Sequence, residues 1–201
     1  MADRLATDRA GIARAAELLR AGELVAFPTD TVYGIGSRAG DGDALARIFA
    51  AKRRDSEKAV AWLVSSRDQA AAAGFRLDDR ALRLAERFWP GALTLVLPAV
   101  DGPATQAFRV PAHAVALALL VASGPLAVSS ANRSGEPETL DADDVAIAFA
   151  DADEPSAIID GGRVPGGVAS SVLDLSTPVA RLLREGAVSR VEIEGVIGPI
   201  D

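Results

Sequence analysis

From Asp8 to Ala21 apolar residues recur at helical spacing, at Ile12, Ala15, Ala16, Leu18 and Leu19, and Gly22 follows as a stop. This predicts a first helix, and the apolar run Glu23 to Phe27 behind it predicts a strand. Asp41 or Asp43 is placed to cap a second helix with Leu45, Ile48 and Phe49 on its apolar face and Lys52, Arg53 and Arg54 in its last turn. Val60 to Val64 reads as a buried strand, Arg67 to Ala73 and Asp78 to Trp89 as helices. Pro90-Gly91 then breaks the chain ahead of a strand at Ala92 to Leu97. Gln106 to Val110 reads as extended. Ala112 to Ala122 reads as a helix, apolar nearly all round and so expected to be central. A short strand at Leu126 to Ser129 runs into a polar loop, and Asp141, Asp143 and Asp144 start a helix through Ala150. Strands follow at Ala157 to Ile159, Ser171 to Leu175 and Val179 to Leu183. Ser189-Arg190-Val191-Glu192 carries a capping-box pattern for a terminal helix.

Helices and strands alternate early while strands cluster late. That order predicts an α/β fold whose sheet mixes parallel and antiparallel pairing. With 201 residues, 49% of them hydrophobic, and no break in composition, one domain over 1–201 is expected. The formal charge of -7 argues against a surface that is a nucleic-acid footprint throughout, leaving room only for a local contact. The absence of cysteine excludes disulfides, thiolate metal sites and cysteine nucleophiles. Early charges at Asp3, Arg4, Asp8, Arg9 and Arg14 do not suit a signal peptide, and the longest apolar run, Ala114 to Ala122, is too short to span a bilayer. No membrane association and a cytoplasmic location are the expectations.

The chemistry centres on Phe27-Pro28-Thr29-Asp30-Thr31-Val32-Tyr33-Gly34-Ile35-Gly36, where an apolar strand meets hydroxyls, a carboxylate and glycines. Thr29 and Thr31 share a face if the segment stays extended, and Gly34 and Gly36 permit positive φ and a close backbone approach. The segment reads either as a pocket edge for a polar ligand or as a tight turn that satisfies its own backbone. Lys52, Arg53, Arg54 and Lys58 place four positive charges within seven positions. They complement a helix C-terminus or, together with Arg109 and Arg184, suit a ligand of several negative charges. Ser129, Ser130, Asn132, Ser134 and Gly135 form a cluster of donors after a strand. Asp160-Gly161-Gly162 and Gly166-Gly167 form a permissive stretch and a candidate lid. There is no P-loop, the spacing Gly34, Gly36, Gly40 misses the dinucleotide pattern, and His113 is the only histidine, placed where capping or packing suffices to explain it.

Pro28-Thr29-Asp30-Thr31-Val32-Tyr33-Gly34 resembles the opening signature of the YrdC/Sua5 family of threonylcarbamoyl-AMP synthases. Further matches follow in order. They are Lys52-x-Arg54, Pro90-Gly91 with Thr94, Arg109-x-Pro111, Ser129-Ser130-Ala131-Asn132-x-Ser134-Gly135, and Asp160-Gly161-Gly162 leading to Ser170-Ser171-Val172. The resemblance implies a twisted, open mixed sheet flanked by helices, with a deep basic cleft. It implies ATP, L-threonine and bicarbonate as substrates, Mg2+ with the ATP, and threonylcarbamoyl-AMP and pyrophosphate as products. It assigns Thr31, Arg109 and Ser170 to threonine, and Lys52, Arg54, Lys58, Thr105, Ser130, Asn132 and Arg184 to the nucleotide, with Lys52 and Arg54 as catalytic cations. No dedicated protein metal site is implied.

The short form of the family is the expectation, in which separate partner proteins would pass the threonylcarbamoyl group to tRNA, with direct tRNA or double-stranded RNA contact a further expectation. It departs from the family pattern at Asp55, where a proline usually stands, at Ala59-Val60 in place of Pro-Leu, and at Ala92 in Pro90-Gly91-Ala92. Loss of the two prolines flanking Arg54 and Lys58 loosens the loop that would aim both cations. The competing readings are a paralogue acting on another carbamate or carbamoyl-adenylate, and a non-catalytic RNA- or nucleotide-binding protein.

Overall fold

The computed structural model describes residues 2–53, 60–150, 154–166 and 168–201. Its strands are β1 (Asp3–Leu5), β2 (Val25–Pro28), β3 (Tyr33–Arg38), β4 (Ala61–Leu63), β5 (Leu93–Pro98), β6 (Thr105–Arg109), β7 (Leu126–Ser130), β8 (Ala157–Ile159), β9 (Ser171–Asp174) and β10 (Arg181–Arg184). The helices are α1 (Arg9–Arg20), α2 (Gly42–Lys52), α3 (Arg67–Ala72), α4 (Asp79–Phe88), α5 (Ala114–Ser123), α6 (Ala142–Ala148) and α7 (Arg190–Ile197). All the strands form one mixed sheet in the order β1-β8-β2-β3-β7-β4-β6-β5-β9-β10. Pairing is parallel in β1–β8, β2–β8, β4–β6 and β5–β9, and antiparallel elsewhere.

The helices begin where the sequence supplies an acceptor. Asp8, Asp41, Ser66, Asp78 and Asp141 each accept a backbone N–H in the first turn of their helix, and Ser189 with Glu192 closes the expected capping box. Asp41, not Asp43, caps α2. That helix ends at Lys52, because Arg53 takes a left-handed conformation at φ 48°. Arg54, Asp55, Lys58, Ala59 and Gly167 lie outside the described residues.

Two strands went unanticipated. β1 is three residues long and mostly exposed, without an alternating pattern to betray it. β3 covers the glycines taken for a ligand loop, and neither Gly34 nor Gly36 has a positive φ. They serve close approach instead: a Cβ on Gly34 would stand 2.7 Å from Val128 Cγ1, and one on Gly36 would stand 3.0 Å from Phe27 Cε1.

Alternation along the strands sends apolar side chains to both faces. Val25, Phe27, Leu63, Leu126 and Ile159 pack with α1 and α5 through Ile12, Ala15, Ala16, Leu19, Ala116, Leu119 and Leu120. Ala26, Tyr33, Ile35, Ala127 and Ile158 meet α2 and α6 through Ile48, Ala51, Ala142 and Val145. Leu93, Leu95, Leu97, Phe108 and Leu173 meet α4 and α7 through Ala81, Leu84 and Ile193. The expectation that α5 is central is corrected. It lies on the surface beside α1 with Val121 75% exposed, since uniform apolarity does not specify which face is covered. Beyond the edge of α1 and α5 their face of the sheet is left open over β7, β4, β6, β5 and β9. No helix among the described residues is long and apolar enough to cross a membrane.

Candidate functional site

The open part of the sheet floors a cleft of about 380 Å3. Gly34, Val128, Ser130, Ala61, Leu63, Ala107, Arg109, Thr94, Val96 and Val172 line it from successive strands, with Thr29, Thr31, Ser170 and Arg184 at its sides. The strands alternate between this face and the core, so Arg109 and Thr94 reach the cleft while their neighbours Phe108, Leu93 and Leu95 are fully buried.

At one end stands Arg109, only 7% exposed. Its Nε donates to the Gly91 carbonyl at 2.9 Å, Nη1 to Thr31 Oγ1 at 3.3 Å and Nη2 to Asp30 Oδ1 at 2.6 Å. Gly91 follows the cis Trp89–Pro90 peptide, and its N–H donates to the Val110 carbonyl at 2.8 Å, so this loop and the end of β6 hold each other. Thr29 to Val32 form the connection of the β2–β3 hairpin. Thr29 Oγ1 donates to the Val32 carbonyl at 2.7 Å, which commits its one proton. The Thr31 hydroxyl, 3.1 Å away, is therefore the donor to Thr29, and what it offers the cleft is an acceptor. Both readings of this segment hold together: it is a self-satisfied turn and it edges the cleft.

At the other end Arg184 donates from Nε and Nη2 to the Ser170 carbonyl at 3.0 and 2.8 Å, and from Nη2 to Ser170 Oγ at 3.2 Å. The Ser170 and Thr94 hydroxyls are 2.9 Å apart. On the third side, the β7 exit presents Ser129 and Ser130. Behind them Lys52, 3% exposed, donates from Nζ to the carbonyls of Ser130 and Asn132 and lies 3.3 Å from Asn132 Oδ1. Asn132 Nδ2 donates to the Glu136 carbonyl at 2.7 Å.

Of the anticipated residues, Thr31, Arg109, Ser170, Ser130 and Arg184 meet in one cleft. Lys52 and Asn132 lie immediately behind its wall, with Lys52 engaged by the loop it supports. Thr105 is not brought in. It begins β6, shares the face of Ala107 and Arg109, and stands about 13 Å along the strand from Arg109 at the usual rise. Arg54 and Lys58 lie outside the described residues. The charged side chains of the described lining are Arg109, Arg184 and Glu138, and Arg109 is already paired with Asp30.

Thr94 and Asp30 stood in the quoted motifs without an assigned role, and Leu63 was not anticipated in the lining. For Thr94 the signal was available, a hydroxyl between Leu93, Leu95 and Leu97 on a strand. Two buried groups shape the surroundings. Burial raises the Tyr33 hydroxyl above its usual pKa, and that hydroxyl donates to the Gly162 carbonyl at 2.8 Å while accepting from the Gly161 N–H at 3.1 Å. Burial lowers the His113 pKa, opposed by the Asp30 charge. His113 occupies the N-cap position of α5 without a side-chain capping bond, so packing and not capping accounts for it.

The Sua5/YciO/YrdC family model, described as telomere recombination, matches residues 17–186. The chain belongs to this family. The threonylcarbamoyl-AMP synthase of Bacillus subtilis (strain 168) is 43% identical over 98% of this chain and 60% of its own length. A putative threonylcarbamoyl-AMP synthase of Mycobacterium leprae is 39% identical over 94% of this chain and 89% of its own length. The crystal structure of Pyrococcus abyssi Sua5 complexed with L-threonine matches with a TM-score of 0.89 at 40% identity, over 100% of this chain and 62% of that one. The chain thus spans about 60% of the length of the Bacillus relative. The Sua5/YciO/YrdC match takes in the hairpin turn, the β7 loop, Ser170 and Arg184, so the family region and the cleft coincide.

Proposed function

We propose that the protein makes L-threonylcarbamoyl-AMP from L-threonine, bicarbonate and ATP, releasing pyrophosphate, for threonylcarbamoyladenosine formation in tRNA. The observation that carries this reading is the convergence in one cleft of an oriented arginine beside hydroxyls, at Arg109, Thr31 and Ser170, with a second arginine, Arg184. The relatives named as threonylcarbamoyl-AMP synthases supply the substrate class.

An α-amino acid carboxylate pairs with Arg109, which has an unused N–H on each terminal nitrogen. The Thr31 acceptor faces the amino group. Ser130 with Arg184 takes the nucleotide, Thr105 marks the far rim on the same sheet face, and Lys52 with Asn132 braces the loop bearing Ser130. Arg54 and Lys58 complete the phosphate contacts. The threonine amine adds to bicarbonate with loss of water, forming a carbamate. A carbamate oxygen attacks the α-phosphorus, and pyrophosphate leaves with the bond electrons. No covalent intermediate on the enzyme is involved, so the protein acts by alignment and by stabilising phosphoryl charge.

Mg2+ enters as MgATP. Among the described residues no group of three or more His, Cys, Asp or Glu side chains is placed to hold a metal. Mg2+ arriving with ATP keeps phosphate and water ligands and needs no all-protein cage. The glycine-rich stretch from Asp160 remains the candidate lid over the labile carbamate, and reduced hydrogen exchange there on adding ATP and threonine tests it. Transfer to tRNA would fall to separate proteins, in the cytoplasm, with any RNA contact of this chain local.

The test of the reaction is mass spectrometry of products from MgATP, threonine and labelled bicarbonate. Label in an adenylate, with pyrophosphate released only when threonine and bicarbonate are both present, is the expected result. Pyrophosphate release indifferent to threonine overturns the reading, and a screen of other amino acids identifies a different carbamate substrate.

A further inference from the structure

Asp30 is absent from the cleft lining, yet it is bound to the arginine that dominates one end. Its Oδ1 lies 2.6 Å from Arg109 Nη2, and the two side chains are 15% and 8% exposed. The flanking Thr29 and Thr31 both line the cleft while Asp30 does not, and its link to the cleft is the bond to Arg109. Arg184 is differently placed. Its bonds go to Ser170 Oγ and carbonyl, and among the described residues no carboxylate lies within ion-pair distance of it. One end of the cleft therefore presents a neutral arginine–carboxylate pair, and the other an arginine that makes no ion pair among the described residues, with Glu138 elsewhere in the lining.

We propose that Asp30 is a positioning residue that sorts the two anionic groups, reserving the Arg109 end for an amino-acid carboxylate and leaving polyphosphate to the Arg184 end. The inference rests on the reading of the cleft as an amino-acid and ATP site. An amino acid is a zwitterion, so the field of Asp30 repels its carboxylate, attracts its ammonium and nearly cancels. Pyrophosphate carries several negative charges with nothing to offset them and meets that field in full. In a partly buried site screening is weak, so the difference is large. Asp30 also fixes the guanidinium plane. With Gly91, Thr31 and Asp30 each taking one of its five N–H groups, Arg109 has one left on each of Nη1 and Nη2, the arrangement that grips a single carboxylate.

The test follows threonylcarbamoyl-AMP formation by mass spectrometry with inorganic pyrophosphate as inhibitor. In the wild type pyrophosphate is expected to compete with ATP and not with threonine. Asp30→Asn keeps the shape and an acceptor oxygen but removes the charge. It is expected to gain a threonine-competitive component, with binding at that end tighter by at least about tenfold, or about 1.4 kcal/mol. Asp30→Glu should keep the wild-type pattern, which separates charge from mere folding support. A fall in stability or turnover of Asp30→Asn with an unchanged inhibition pattern overturns the inference, as does threonine-competitive pyrophosphate in the wild type. Calorimetric titration of pyrophosphate into the wild type, with and without saturating threonine, keeps the sorting open to refutation even if Asp30→Asn does not fold; equal affinity is expected, and a loss overturns it. A wild type that binds threonine but forms no adenylate refutes the proposed reaction, while the calorimetric comparison still judges the sorting.

Discussion

Arg184 clamps Ser170 by donating from Nε and Nη2 to one carbonyl oxygen, at 3.0 and 2.8 Å. The pairing of β10 with β9 slips at this point, Leu182 facing Leu173 and Arg184 facing Val172, so that Leu183 is an extra residue. The bulge brings Leu183 and Arg184 together into the cleft, which strict alternation would not allow. Because Arg184 is exposed, its loss acts on the site more than on the fold.

Arg184→Ala is expected to lower stability by about 1 kcal/mol or less, read from denaturant unfolding. The same change is expected to raise the KM for ATP by about tenfold or more, with the KM for threonine moving less. Arg184→Lys keeps the charge but loses the two-pronged grip on Ser170, and an intermediate ATP effect is expected. Steady-state kinetics with each substrate varied in turn gives the split.

Tyr33→Phe removes the hydroxyl that holds Gly161 and Gly162 from beneath. The freed backbone groups are exposed to water, so the cost is expected to be about 1 kcal/mol, a fall of about 2–4 °C in Tm for a domain of this size. Hydrogen exchange should quicken at the Gly161 amide, while the Gly162 amide, held by Asp160 Oδ1 at 3.1 Å, and the core strands change less. Unaltered exchange there would mean that the packing of Gly161 on Pro28, where a Cβ would stand 2.7 Å from Cγ, holds the stretch unaided.

Gly34→Ala places a methyl 2.7 Å from Val128 Cγ1, and Val128 lines the cleft, so a shift of that side chain alters the cleft wall. The expected cost is about 1–3 kcal/mol with weakened substrate binding. Adding Val128→Ala should return most of the lost stability, a coupling that a double-mutant cycle in urea measures. Additive losses would place the strain in the backbone instead.

The sequence announced the elements whose signals are local. Capping acids at Asp8, Asp78 and Asp141 and the Ser189–Glu192 box set helix starts within a residue or so of those observed. Thr31, Arg109 and Ser170 were legible as one group because motif order carries information that spacing does not. What escaped depends on other strands. β3 was hidden because its glycines exist to admit Val128 and Phe27, partners far off in sequence or across the hairpin. The inward turn of Arg184 comes from a bulge, and the pairing of Arg109 from its meeting with Asp30, 79 residues away. Lys52 was legible as a cation at the end of a helix, but not as one already spent on the carbonyls of the β7 loop.

His113 reports on the same corner as Asp30. Its Nδ1 is buried without a hydrogen-bond partner, and burial depresses the pKa, with the Asp30 charge acting in opposition. The folded state therefore binds a proton less readily than the unfolded chain. A basic group with a depressed folded pKa contributes stability above the unfolded value of about 6.5, and that contribution is lost as pH falls through the folded pKa. Unfolding free energy is expected to decline from about pH 6.5 downward, and His113→Gln should flatten that slope. Because the chain has one histidine, a single imidazole resonance tracks the titration by NMR without assignment. Its midpoint should lie below the free value in the wild type and lower still in Asp30→Asn, where the carboxylate that favours the imidazolium is gone. A midpoint that rises in Asp30→Asn would contradict the charge of Asp30 as the influence that favours the imidazolium.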